Sequence, residues 1–93
     1  MDLKRTIITT EAEQTTANAR YAISYTTQDG TLQRVHARVY IQTGSPDIPE
    51  REVGLLAMAN GYISSQDFPF SAQYMAYMGD FVQIVQSLQE ANP

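Results

Sequence analysis

Ser45-Pro46-Asp47-Ile48-Pro49 divides the chain into two halves of different composition. Before it there is no proline, and threonine alternates with apolar residues; after it threonine is absent, and all three phenylalanines and every methionine but Met1 appear. Alternation marks strands and wider apolar spacing marks helices. The chain therefore reads as one α+β domain over residues 1–93: a small antiparallel three-stranded sheet, then two α-helices packed on one face.

The clearest local pattern lies upstream of the break. Ala19, Tyr21, Ile23 and Tyr25 are apolar at odd positions, as are Val35, Ala37, Val39 and Ile41 after Asp29-Gly30. Two alternating runs around Asp-Gly predict a β-hairpin over 19–42. A two-residue turn with regular pairing sets Ile23 against His36 and mixes the faces. A three-residue loop, Gln28-Asp29-Gly30, sets Ile23 against Val35 and Tyr21 against Ala37. Because a one-residue slip inverts every side chain, the three-residue loop is expected. The third strand is expected in the β-branched stretch Leu3 to Thr10. Glu11 to Asn18 reads as a polar connection, or one helical turn from the capping-box spacing of Thr10 and Glu13.

Downstream, Asp47 and Glu50 have the spacing of a helix start, and Pro49 suits a first turn. The first helix is expected to end near Ala59, with Asn60-Gly61 as its stop. Residues 63 to 70 read as a loop. The second helix is expected from Ser71, a suitable cap, to Glu90. Its apolar seam is Tyr74, Tyr77 or Met78, Phe81, Val85 and Leu88, with Asp80 on the solvent side.

Composition excludes several functions. Ten acidic and six basic side chains leave a net charge of −4, which disfavours a nonspecific nucleic-acid binder. Without cysteine there is no disulfide framework, thiolate catalysis or cysteine-ligated metal. The opening residues lack the apolar core of a signal peptide, and no apolar run approaches the roughly 20 residues of a membrane span, so the expected location is cytoplasmic. His36 is the only histidine, and nothing surrounds it with a nucleophile or a paired carboxylate. No phosphate-cradling glycine loop is present. The expectation is a protein that is not an enzyme and needs no metal or cofactor.

Two surfaces remain as candidates. Tyr62, Phe68, Phe70, Tyr74 and Tyr77 form an aromatic group in excess of what a small core needs, as binding surfaces do. They point to a protein partner, or to a homodimer through the second helix or the Phe68-Pro69-Phe70 loop. The other candidate is basic: Arg20, Arg34, His36 and Arg38 share the outer hairpin face, with Arg20 expected opposite Arg38. Either carboxylates of the fold, from Glu11, Glu13 or a helix, neutralise them, or they bind an anion or nucleic acid, or they form a plain solvated face. Size and element order are shared with many small bacterial and phage accessory proteins. The expected role is a protein–protein interaction module, as a regulator, inhibitor or accessory subunit.

Overall fold

Two short turns organise the sheet. Asp29 and Gly30 have φ of 52° and 85°, and Asn60 and Gly61 have φ of 55° and 81°. Two successive positive φ values make the type I′ turn, whose twist matches that of paired strands. Both Asx-Gly pairs are therefore hairpin turns, the second included.

The computed structural model describes residues 6–66, 68 and 73–92. Among them run β1 (Ile7–Thr15), β2 (Arg20–Gln28), β3 (Thr31–Gln42), β4 (Glu50–Ala59), β5 (Tyr62–Gln66) and α1 (Tyr74–Ala91). The strands pair antiparallel in chain order, β1-β2-β3-β4-β5, leaving β1 and β5 as edges. The expected three-stranded sheet with two helices is thus corrected to five strands and one helix. Residues 50–59 are not the first helix but a strand hydrogen-bonded on both sides. Residues 62–66 are its hairpin partner rather than loop.

Asp47 and Pro49 belong to the connection before β4 and do not open a helix. Thr43 closes that connection. Its N–H donates to the Pro49 carbonyl at 3.1 Å, its hydroxyl donates to the Ile48 carbonyl, and its oxygen accepts from the Ser45 N–H. The first strand also differs from expectation. It runs through Glu11 and Glu13 to Thr15 in unbroken register with β2, so there is neither a polar connection nor a helical turn at 11–15.

The hairpin register meets the face requirement by another route. The turn has two residues, with Gln28 opposite Thr31, and a bulge at Gln33 then shifts the pairing by one. Ile23 faces Ala37 and Tyr21 faces Val39, where the three-residue loop would have set Val35 and Ala37. A bulge inserts one unpaired residue and so restores side chains to their proper face. Arg20 lies opposite Tyr40, and Arg38 opposite Ala22, which removes the expected like-charge pair.

The helix covers one face of the sheet. Tyr77, Phe81, Ile84 and Val85 pack against Tyr21, Ile23, Val35, Ala37, Val39, Leu56 and Met58 in one core. The helix was expected from Ser71 to Glu90. It begins at Tyr74, with Gln73 at the N-cap position and no capping hydrogen bond from that side chain to the first turn, and Ser71 lies outside the described residues. Its far end is tied back by the Leu32 N–H, which donates to the Asn92 carbonyl at 3.3 Å.

Gly54 shows how close the packing is beside the β4 bulge at Val53. A Cβ there would stand 2.6 Å from the Phe68 ring and 2.9 Å from the Gln66 carbonyl oxygen. The ring can turn away, but the paired strand backbone cannot. Gly54→Ala is expected to lower stability by about 1–3 kcal/mol in urea denaturation, as overpacking does. A change below about 0.3 kcal/mol would contradict this packing.

Candidate functional site

The structure divides the aromatic group. Tyr77 is only 5% exposed and belongs to the core. Phe68 is half-buried and packs edge-on to Tyr74, with ring centroids 5.4 Å apart, and against Tyr77 at 6.1 Å. Tyr74 is half-buried, and its hydroxyl shares a 2.7 Å hydrogen bond with Ser65 on β5. These three join the helix start to the β4–β5 hairpin. Phe70 lies outside the described residues. Tyr62 alone of the described members stands free, 80% exposed on β5.

The basic residues do share the face that α1 leaves open, but they do not converge. Arg20 donates to both carboxylate oxygens of Glu50, at 2.8 and 2.9 Å, and lies 3.4 Å from Glu13. Its guanidinium also stacks 4.6 Å over the Tyr40 ring. The hydrogen bond from Arg20 holds the Glu50 carboxyl below its ordinary pKa. Arg38 lies 3.6 Å from Glu52. Arg34 and His36 are exposed on β3 and have no ion-pair partner among the described residues. A depression of about 370 Å³ beside Arg20 is bounded by the β1–β2 connection, Tyr40 and Glu50. Its one arginine is already matched by Glu50, so it offers an anion no unspent charge.

Asp80 forms a more closely knit cluster. On the sequence it marks the solvent side of the helix; in the fold it faces the β1–β2 connection. One carboxylate oxygen accepts from the Tyr21 hydroxyl at 2.6 Å, the Thr16 hydroxyl at 2.7 Å and the Asn18 amide at 3.0 Å. Burial pushes the Asp80 carboxyl up, but those three donors together outweigh it and hold the pKa below its ordinary value. Burial, and then Asp80 itself, pushes the Tyr21 phenol up. Tyr21 is fully buried and its hydroxyl is satisfied. These three hydrogen bonds to one oxygen anchor the helix to the sheet and to the β1–β2 connection.

Among the described residues no group of three or more acidic or histidine side chains is gathered for a metal ion. No helix among them is long and apolar enough to cross a membrane.

The remaining feature is the pair of sheet edges. Every residue of β5 is exposed, and every residue of β1 except Thr10. Six large apolar side chains stand exposed among the described residues, and four of them, Ile7, Ile8, Tyr62 and Ile63, lie on these two strands. Of these the sequence points only to Tyr62; its spacing could not single out Ile7, Ile8 or Ile63, because exposure here follows from position in the sheet. Asn60-Gly61 was the available signal for β5. No family model matches the chain, and neither a curated protein nor a solved structure matches it.

Proposed function

We propose that this chain is a non-enzymatic protein–protein interaction module, a small cytoplasmic regulator, inhibitor or accessory subunit that engages its partner through the edges of its sheet. The observation that carries this reading is the concentration of exposed apolar side chains on the two strands that also have unpaired backbone groups. An edge strand presents free N–H and C=O groups as a template for another chain, and proteins ordinarily blunt such edges. β5 carries no charge and no proline, two of the features that ordinarily blunt an edge. Main-chain pairing with neighbouring apolar contact is an established mode of peptide recognition. A homodimer is the self-associating form of the same reading.

The test is affinity capture with the wild-type chain and with Tyr62→Ala/Ile63→Lys, after confirming equal melting temperatures. The expected result is a protein retained by the wild type and lost from the variant. In light scattering, a wild-type mass of twice 10.4 kDa that the variant halves would identify the retained protein as a second copy. A monomeric wild type that retains nothing, or equal retention by the wild type and by a folded variant that also carries Thr9→Pro on β1, would overturn the reading.

A further inference from the structure

The two edges differ in chemistry, and β1 is the longer one, with nine residues against five. Its pairing with β2 is regular throughout, without bulge or proline. At one end the Thr16 N–H donates to the Ala19 carbonyl at 2.9 Å; at the other the Asp29 N–H donates to the Thr6 carbonyl at 2.8 Å. Both pairs keep the register of the strand. In an antiparallel ladder hydrogen-bonded pairs alternate with non-bonded ones. The even residues of β1 therefore bond to β2, while Ile7, Thr9, Glu11, Glu13 and Thr15 turn their N–H and C=O groups to the open edge.

Glu11 and Glu13 also decide what can pair there. Both are exposed. Glu13 lies 3.4 Å from Arg20, and Glu11 has no ionic partner among the described residues. Two copies of β1 paired antiparallel about Glu11 or about Ala12 set glutamate against glutamate, which is unfavourable directly across a ladder. The chain's charge of −4 adds to the repulsion. A strand with basic residues meets the opposite situation, since oppositely charged cross-strand neighbours attract.

We infer that β1 is a docking edge for a basic extended segment of another protein, added antiparallel as a sixth strand. This rests on the interaction-module reading and names the partner's chemistry. The incoming strand carries Lys or Arg at two positions separated by one residue, opposite Glu13 and Glu11. A β-branched residue follows opposite Thr9, and an apolar residue opposite Ile7, which is 54% exposed. Glutamate thus serves twice, against self-pairing and for a basic partner.

The probe is a fluorescein-labelled heptapeptide, Lys-Val-Lys-Val-Thr-Val-Val, compared with its counterpart bearing Glu at both Lys positions. Anisotropy with the full chain is expected to show the lysine peptide binding about tenfold tighter at low salt. The difference should shrink in 0.5 M salt, as exposed charges are screened. Thr9→Pro deletes an outward donor without removing a backbone bond to β2, losing only the 3.4 Å contact between the Thr9 and Thr26 hydroxyls, at a position where an edge strand tolerates proline. It is expected to weaken the lysine peptide about tenfold at unchanged circular dichroism. Should Thr9→Pro itself unfold the chain, Glu11→Lys decides instead, by removing the preference for the lysine peptide. Equal affinity for both peptides, no binding of either, or lysine-peptide binding untouched by the folded Thr9→Pro variant would overturn the inference. A partner captured through Tyr62 and Ile63 alone would then leave the broader reading standing.

Discussion

Phe81→Ala is expected to cost about 3–5 kcal/mol, the largest loss from any single truncation in this chain. Phe81 is fully buried in the cluster where α1 meets β2, β3 and β4. Removing the ring forfeits its transfer free energy and leaves a cavity that paired strands on one side and a helix on the other cannot collapse to fill. A domain of this size has roughly 5–15 kcal/mol in total, so the variant is expected to be partly unfolded at 37 °C. Met75, on the same helix but 73% exposed, is the control: Met75→Ala should stay within about 0.5 kcal/mol. Urea midpoints measure both. A Phe81→Ala loss below about 1 kcal/mol would mean that the helix does not pack as described.

Asp80→Ala is expected to follow at about 2–4 kcal/mol, since it strands the buried Tyr21 hydroxyl and frees Thr16 and Asn18. Asp80→Asn keeps an acceptor oxygen and should cost less. The cluster also sets the pH dependence. Asp80 titrates below its ordinary value in the fold, so its contribution is complete at neutral pH and fades as pH falls from about 4 through the folded value. Tyr21 titrates above its ordinary value, so its contribution is complete below pH about 10 and fades as pH rises further. The melting temperature should be nearly flat between those limits and fall on both sides. Glu50, held low by Arg20, shares the acid limb. Asp80→Asn should make that limb shallower without abolishing it. An unchanged acid limb would show that the three hydrogen bonds do not hold in solution.

The parts of the fold legible in the sequence are those where periodicity is unbroken. Tyr21, Ile23, Val35, Ala37 and Val39 alternate along the hairpin and share the buried face. Tyr77, Phe81 and Val85 keep helical spacing and lie inward on α1. β4 misleads for a physical reason. The bulge at Val53 turns both Val53 and Gly54 inward ahead of Leu56, and because Gly54 has no side chain the first two buried side chains, Val53 and Leu56, fall three apart, as on a helix. Leu55, Ala57 and Met58 add helix-forming composition, which tertiary pairing overrides. The first part of β1, Ile7 to Thr10, is legible as a strand, but its continuation from Glu11 to Thr15 reads as a polar connection because the helix does not cover it and it needs little apolar content. The Asp80 cluster has no local signature at all. Its donors Thr16, Asn18 and Tyr21 lie some sixty positions upstream, and a lone carboxylate on a helix looks like any solvated residue.

Of the candidate sites, the sequence brought out Tyr62 but not the reason for its exposure. It grouped Tyr62 with Phe68, Tyr74 and Tyr77, whose rings fasten the helix start to the sheet. The basic face was visible as alternation on β2 and β3, yet the carboxylates that engage Arg20 and Arg38 come chiefly from β4, which a helical assignment had placed elsewhere.

Residue-resolved amide hydrogen exchange on the free chain tests the central claim, a five-stranded sheet with an open β1 edge. Slow exchange is expected at Ile8, Thr10, Ala12 and Gln14, and fast exchange at Ile7, Thr9, Glu11, Glu13 and Thr15. Over Leu55 to Ala59, paired on both sides, consecutive amides should all be slow. Uniform protection along β1, or fast exchange at alternate residues of Leu55 to Ala59, would contradict the account.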